Sequence, residues 1–566
     1  MKNIKFLAIC FFLSGVFCAC GDFGDINVNP NSPDSSVDYN FQEAALGSIF
    51  RTSVPAIEGD DEQRVKSLMV DFYAQMLDGG NFDTRYYIMN DDWNARMFRR
   101  VQNGISNMNL VLRGLAEQEE SKIAYSKAVA IIWRVWTASV GVDWFGPIPF
   151  ANYEGEVVEN PPYLSVQEIY TQFFTELDKA NALLLSESPN PVFNNEKYDI
   201  IFGNDKEKWR KFGNSIHLRL ALRLSEVDAG TCKTEAAKAL AAGVMESAAD
   251  NAKLPPKADG GWGADYNYTM FQITWGGPLN MTTSMEKLLT GIGGMDFPTT
   301  LTNKRGGTPL SAVHPAKVDP RGPVMFDPAF GSKENGVYLA GSGDWKGRPD
   351  GLNISNHAEL NPIEYQSTNF AELGILYSGS SPYKSRPYDL FLYEEICFLK
   401  AEAALRGFIS GDAKSLYEEG VRASFATWGV SSQADNYLSS TEKNLAGTSA
   451  KYDDNTGAGN TQLEKIITQK YLALFPDMSQ EAWNDKRRLN LPRTDVALDR
   501  YTAVWPTQST DVKNVANYIK RVQYPNSEIQ GNDAEYKKGL QLLGGADRVD
   551  TKIWWDKGVN YCTSAN

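Results

Sequence analysis

Histidine is scarce, with 3 in 566 residues, and cysteine is little commoner, with 6. Isolated imidazoles at His217, His314 and His357 argue against a His-rich metal centre. Cys10 and Cys18 fall in an N-terminal leader. Cys20, Cys232, Cys397 and Cys562 then remain, with no metal-ligand spacing and too few thiols for a disulfide framework. A surplus of positive charge is also missing. Lys and Arg number 56 against 70 Asp and Glu, for a net charge of −14. Such a chain lacks the basic footprint that nucleic acid demands, and anionic headgroups repel it. No mature stretch is an uncharged apolar run long enough to span a bilayer. Residues 128–142 come nearest, but they carry Arg134 and read as a buried core helix. There is no nucleophile elbow, phosphate loop, dinucleotide fingerprint or zinc-protease motif. No cofactor is expected.

The N-terminus supplies an address. Lys2 and Lys5 precede an apolar run over residues 6–17, and Ala19 stands directly before Cys20. The run is too short for a membrane span and reads as a secretory signal. A small residue followed by Cys resembles the lipobox of bacterial lipoproteins, which implies a signal peptide over 1–19 and lipidation of Cys20. The residues also allow plain secretion with cleavage near Ala19. Asp22 and Asp25 resemble a surface-export signal of Bacteroidetes lipoproteins. Asp25, Asn27 and Asn29 have calcium-loop spacing, but Pro30 and Ser36 replace the expected Gly and Glu. No metal site is expected there.

Residues 20–37 read as a lipidated tether, and 38–250 as an N-terminal helical scaffold. Ser165 and Glu168 form a capping box ahead of an apolar stripe at Ile169, Phe173, Leu177, Ala180 and Leu184. A second stripe runs Trp209, Phe212, Ile216, Leu220, Leu224, with Arg210, Arg219 and Arg223 expected as solvated or ion-paired flanks. Residues 251–385 hold 19 of the 47 Gly and 12 of the 26 Pro. That density breaks helices, so this stretch reads as an irregular, loop-rich region suited to binding. Helical pattern returns over 386–566, with one helix expected at 391–406 and a second at 412–425. Ala401, Ala404 and Gly420 would let this pair pack closely, as in a tetratricopeptide hairpin. Residues 437–460 read as a surface loop. The expected class is mainly α, a tetratricopeptide-like scaffold with a large irregular subdomain containing short strands.

Several motifs in order resemble the SusD/RagB family of nutrient-binding outer-membrane lipoproteins. They begin with Asp25 to Pro30 and the run of Asp143, Trp144, Phe145, Gly146 and Pro147. Trp209 to Arg223 and Glu394 to Gly407 follow, then Gln469 with Lys470, and Trp483 with Arg487 and Arg488. Arg521 to Glu528, Asn532, and Trp554 with Trp555 complete the set. The resemblance implies a lid over a SusC-like TonB-dependent transporter, tied to the outer membrane by lipid and facing outward. It implies capture of an oligosaccharide or an oligopeptide; the loop aromatics favour the sugar.

A sugar ring offers a C–H face for an aromatic and hydroxyl edges for polar groups. The resemblance places ligand sites on an N-terminal loop and the irregular region. The candidates in the first are Asn81, Asp83, Arg85, Tyr86 and Trp93, with Tyr87, Asp91 and Asp92 beside them. In the second they are Trp262, Tyr266, Trp275, Trp345 and Tyr365, with Asp344 and Lys346 flanking Trp345. Trp133, Trp136, Trp209 and Trp483 lie in helical stripes or framework motifs and are assigned to packing. A glycosidase would need paired carboxylates, which no sequence pattern identifies among 70 acids. A pure interaction scaffold is the third reading.

Overall fold

The computed structural model describes residues 40–54, 61–79, 82–150, 152–154, 160–186, 193, 196–255, 279–304, 307–330, 332–334, 337–339, 341–353, 355–360, 369–374 and 386–563. The expected tether and the calcium-like spacing at Asp25 lie outside these residues.

The architecture is mainly α. The longer helices of the first half are α1 (Asn40–Thr52), α2 (Asp91–Ala116), α3 (Glu120–Phe145), α4 (Val166–Leu185), α5 (Lys206–Arg223) and α6 (Ala229–Ala242). From α2 to α6, each helix packs on the next, giving a run of antiparallel hairpins. The second half holds α7 (Tyr393–Leu405), α8 (Ala413–Thr427), α9 (Gln462–Ala473), α10 (Ser479–Leu489) and α11 (Asp533–Leu543). Local sequence fixes the boundaries. Ser165 and Glu168 make the capping box of α4, and Thr461 and Glu464 repeat it on α9. Asp205 and Asp412 cap α5 and α8.

Packing explains the small residues. A Cβ on Gly420 would lie 2.7 Å from Phe398, so the α7–α8 hairpin closes only with glycine there. A Cβ on Gly104 of α2 would meet Thr137 of α3 at 2.7 Å. Helix α3 is buried on nearly all sides, with Trp133 and Trp136 stacked at 4.7 Å. The α5 arginines take the ion-paired alternative, Arg210 with Glu207 near the surface and Arg219 and Arg223 inside the protein. Arg219 donates to Glu395 at 2.6 and 2.9 Å, and Arg223 to Glu481 at 2.5 Å, all buried.

These pairs belong to a buried ionic seam that absorbs most of the sequence motifs. Arg223 also reaches Asp143 at 3.3 Å. Asp143 accepts from Asn484 at 2.8 Å and from the Trp555 indole at 3.1 Å. Lys470 pairs with Asp485 at 2.9 Å, Arg488 bridges Asp485 and Glu402, and Arg406 links Glu402 to Glu226. Burial alone would raise these carboxyls. The neighbouring cations win at Glu481, held down to about 2, and also hold Glu402 and Asp485 low. Each member is paired, which is the condition for charges to persist in an interior.

Short strands join distant segments. A four-stranded antiparallel sheet has the order β1 (Leu77–Asp78), β3 (Asn280–Met281), β5 (Glu372–Leu373), β4 (Phe326–Asp327). Separately, β2 (Ala252–Leu254) pairs with β6 (Tyr388–Phe391), closing the ends of the irregular stretch onto each other. Residues 437–460 correct the surface-loop expectation. Asn444, Thr448, Ser449 and Asn460 are buried, and the Lys465 ammonium donates to the Ser449 carbonyl at 3.0 Å, to its hydroxyl at 2.7 Å, and to Asn460. The outer residues of the segment, among them Thr441, Glu442, Asp453 and Thr456, stay exposed as expected, while the inner polar side chains bond to each other and to this lysine.

Candidate functional site

The candidate surface begins at the end of β1. Antiparallel register puts the end of β1, the start of β3 and the end of β5 at one end of the sheet. Residues 80–81 follow β1, 256–278 lead into β3, and 375–385 leave β5. The described residues at that end are Gly79, Leu279 and Gly374: a Cβ on Gly79 would meet the Leu279 side chain, and the Leu373 amide donates to the Leu279 carbonyl at 3.0 Å.

The turn at 82–89 is built rigidly. Asp83–Tyr86 forms one 3₁₀ turn, closed by the Tyr87 amide on the Thr84 carbonyl at 3.0 Å. Thr84 donates to the Leu68 carbonyl at 2.5 Å, and Arg85 pairs with Asp78 at 2.5 Å. Tyr86 donates to the Leu352 carbonyl at 3.3 Å. Tyr87 is left-handed at φ 63°, a conformation that costs a bulky residue about 1–2 kcal/mol. Its ring is held between Tyr73 at 6.1 Å and Trp505 at 5.4 Å. With Thr84 to Tyr87 drawn inward, Asp83 faces solvent.

Two further segments abut this turn. Leu498 and Asp499 donate backbone amides to the carbonyls of Asp350 and Gly351, and Tyr501 donates its amide to the Tyr86 carbonyl at 2.8 Å. Gly351 has φ 61°, and a Cβ there would meet Ala497 at 2.7 Å, so this crossing needs glycine. Asp499 accepts from the Asn353 amide at 2.8 Å and the Asn356 side chain at 2.9 Å, and faces His357 Nε2 at 3.4 Å. Beside it the Tyr501 side chain is 40 % exposed. Beneath, Asp350 accepts from Thr283 and Ser284, and burial pushes its carboxyl up to about 8, helped by the charge of Asp495. This layer offers one exposed ring flanked by acceptors and amides whose positions are fixed from below.

The structure sorts the candidates drawn from sequence. Asp83 is exposed; Asp91 and Asp92 beside it are also open. Arg85 and Tyr86 are corrected: both are buried and serve the turn. Trp93 is 8 % exposed and packs on Phe82 at 5.5 Å, at the start of α2 where Asn90 caps its amide. Trp345 is also corrected. It is fully buried, its indole donates to the Phe326 carbonyl at 3.1 Å, and its ring meets Phe297 at 5.1 Å. Its polar neighbours Asp344 and Lys346 pair with each other at 2.7 Å, so the flanking charges satisfy one another and do not mark an open ring. Asn81, Trp262, Tyr266, Trp275 and Tyr365 lie outside the described residues. Tyr501, Asp499, Asn356 and His357 were not singled out from sequence. For Asp499 and Tyr501 the only signal is an aromatic near charged residues in a non-periodic stretch between Pro492 and Pro506; Asn356 and His357 carry none beyond their place in a loop.

Among the described residues, no group of three or more His, Cys, Asp or Glu could hold a metal ion, and no helix is long and apolar enough to cross a membrane.

A helical-hairpin scaffold presenting a loop-built surface is the class that fold and site define. Residues 318–556 match the SusD-like family described as Susd and RagB outer membrane lipoprotein. Residues 41–280 match a second SusD-like family, described as starch-binding, associating with outer membrane. A SusD homologue from Parabacteroides distasonis is 52 % identical, over 93 % of this chain and 100 % of its own, with a TM-score of 0.87. The chain belongs to the SusD-like family of outer membrane lipoproteins. A chitin-binding SusD homologue from Flavobacterium johnsoniae is 25 % identical, over 92 % of this chain and 99 % of its own, with a TM-score of 0.70. A SusD homologue from Bacteroides vulgatus, 24 % identical over 88 % of this chain and 93 % of its own, shares the fold with a TM-score of 0.68. Among curated proteins none matches.

Proposed function

We propose that this chain is a lipid-anchored receptor on the cell exterior that captures an oligosaccharide and passes it to a SusC-like TonB-dependent transporter, without chemistry of its own. The single observation that carries the sugar reading is the exposed Tyr501, two residues after the Asp499 that holds Asn356 and His357, with its amide bonded to the turn that begins at exposed Asp83. A flat ring meets the C–H face of a pyranose, and such stacking pairs with edge-on hydrogen bonds to hydroxyls. Starch and chitin are named for the matching family and for a relative respectively, and both are chains of such rings. In this reading Asn81, Trp262, Tyr266, Trp275 and Tyr365, the polar and aromatic residues of the N-terminal loop and the Gly/Pro-rich stretch, extend the platform. Cys20 supplies the anchor.

The test compares wild type with Tyr501→Ala and Asp83→Ala by calorimetric titration with starch, chitin and β-glucan oligosaccharides and with a mixed oligopeptide pool. Saturable binding of one glycan class, weakened in both variants, supports the proposal. Binding of peptides alone moves the same architecture to an oligopeptide receptor. Release of shorter sugars from a bound oligosaccharide overturns the non-catalytic part.

A further inference from the structure

A second opening lies away from the turn, between the end of α1 and the middle of α2. This cleft measures about 500 Å³, within the roughly 300–1,000 Å³ of small-ligand sites. Ser48 and Thr52 line it from α1, and Arg96, Arg99, Arg100, Asn103 and Asn107 from α2. Spacings of three and four put these α2 residues on one helix face. Gly104 lets the end of α1 approach: a Cβ there would stand 3.2 Å from the Ser53 hydroxyl.

The charge balance is uneven. Asp61 is the one acid among the described lining residues, and both its oxygens are taken, one by Arg96 at 3.1 Å and the other by Arg100. Arg96 also holds Asp92 at 3.0 Å, and Arg100 caps the carbonyl of Thr52. Arg99 spends only its Nε, on the Ala95 carbonyl at 3.3 Å. Arg99 lines the cleft, and the terminal nitrogens of its guanidinium have no acid partner among the described residues. A guanidinium edge fits an oxyanion through two parallel hydrogen bonds. Asn103 and Asn107 follow one and two turns further on, about 6 Å apart per step at 1.5 Å rise per residue, which is the scale of one sugar ring. On a chain with net charge −14, a cationic cleft runs against the overall field.

We propose that this cleft binds an acidic sugar, a saccharide residue carrying a carboxylate or sulfate, with Arg99 on the oxyanion and Asn103 and Asn107 on ring hydroxyls. It is a site separate from the Tyr501 surface and does not depend on the reading given to that surface. The probes are glucuronate and glucose 6-sulfate, with neutral glucose as control, titrated into the full mature chain by NMR or calorimetry. Saturable binding of the acidic sugars is expected, weakened about tenfold or more in Arg99→Gln, the size of one lost charge-assisted pair. Raising NaCl from about 50 to about 500 mM should weaken it further, because the site is solvent-facing. Arg99→Gln should keep the thermal midpoint and any neutral-glycan affinity of wild type. Equal binding of glucose, unchanged affinity in Arg99→Gln, or no saturation by about 20 mM, where a site of useful affinity would be filled, overturns the proposal. Binding to phosphatidylglycerol vesicles but not to the acidic sugars overturns it too, by assigning the arginines to a lipid surface.

Discussion

Glu402→Gln probes the ionic seam where its consequences can be worked out. The Glu402 carboxylate is fully buried, accepts from Arg488 at 2.6 and 2.8 Å and from Arg406 at 2.9 Å, and sits between two halves of the C-terminal scaffold. Glutamine keeps the shape but removes the charge, leaving Arg488 with the Asp485 carboxylate and the Ser225 hydroxyl. Removing one partner of a buried pair costs about 3–5 kcal/mol. The amide oxygen can still accept one bond, so the lower end, about 3 kcal/mol, is expected. That is a large part of the roughly 5–15 kcal/mol that holds a typical fold. The pH dependence carries a sign. Burial would raise the Glu402 carboxyl, yet Arg488 and Arg406 hold it below its ordinary 4.5. A depressed carboxyl stabilises the fold above its unfolded value, and the contribution disappears as pH falls through its folded value. The variant lacks that contribution, so the gap between variant and wild type should be full at pH 7 and narrow in acid below 4.5. Urea midpoints followed by tryptophan fluorescence measure both. A loss under about 1 kcal/mol at pH 7, the scale of a surface pair, or a gap unchanged in acid, refutes the seam as a source of stability.

Other outcomes follow from single residues. Trp345→Ala should lower stability by about 3–5 kcal/mol, the usual loss for a buried Trp, and a variant with native melting and reduced glycan affinity would contradict its placement in the core. Asp350→Asn should have little effect at or below the ordinary carboxyl value of 3.8. Burial pushes Asp350 up to about 8 from 3.8, so ionising it weakens the fold progressively as pH rises between those values. The Asn variant should therefore melt higher than wild type at pH 9, and a lower midpoint there would count against the assignment. Gly104→Val should destabilise through the α2–α3 contact, since its Cβ alone comes within 2.7 Å of Thr137; thermal melting reads this.

Much of the scaffold was legible because helices announce themselves locally. Ser165 with Glu168 and Asp412 ahead of α8 are signals written within four residues, and the structure places both caps where the sequence puts them. The family motifs were legible as motifs but not as chemistry. Arg223 and Glu481 lie 258 positions apart and meet at 2.5 Å, and no periodicity joins them. The surface was harder. Exposure of a loop aromatic depends on what the chain folds over it: Trp345 has charged neighbours on both sides and is entombed, while Tyr501, between Arg500 and Thr502, is open. Polar composition misled at 437–460 for a related reason, since Ser, Thr and Asn can satisfy one another inside as well as in water. The four-stranded sheet arises from two-residue strands, too short to leave an alternating pattern.

The most direct measurement is calorimetric titration of the mature chain with defined oligosaccharides, coupled to chromatography of the sugar recovered from the complex. Saturable binding of a glycan that is recovered intact, and that Tyr501→Ala weakens by about tenfold, near the 1–1.5 kcal/mol of one aromatic contact, is the result a capturing receptor gives. Failure of every glycan to bind, or recovery of a shortened product, would contradict it.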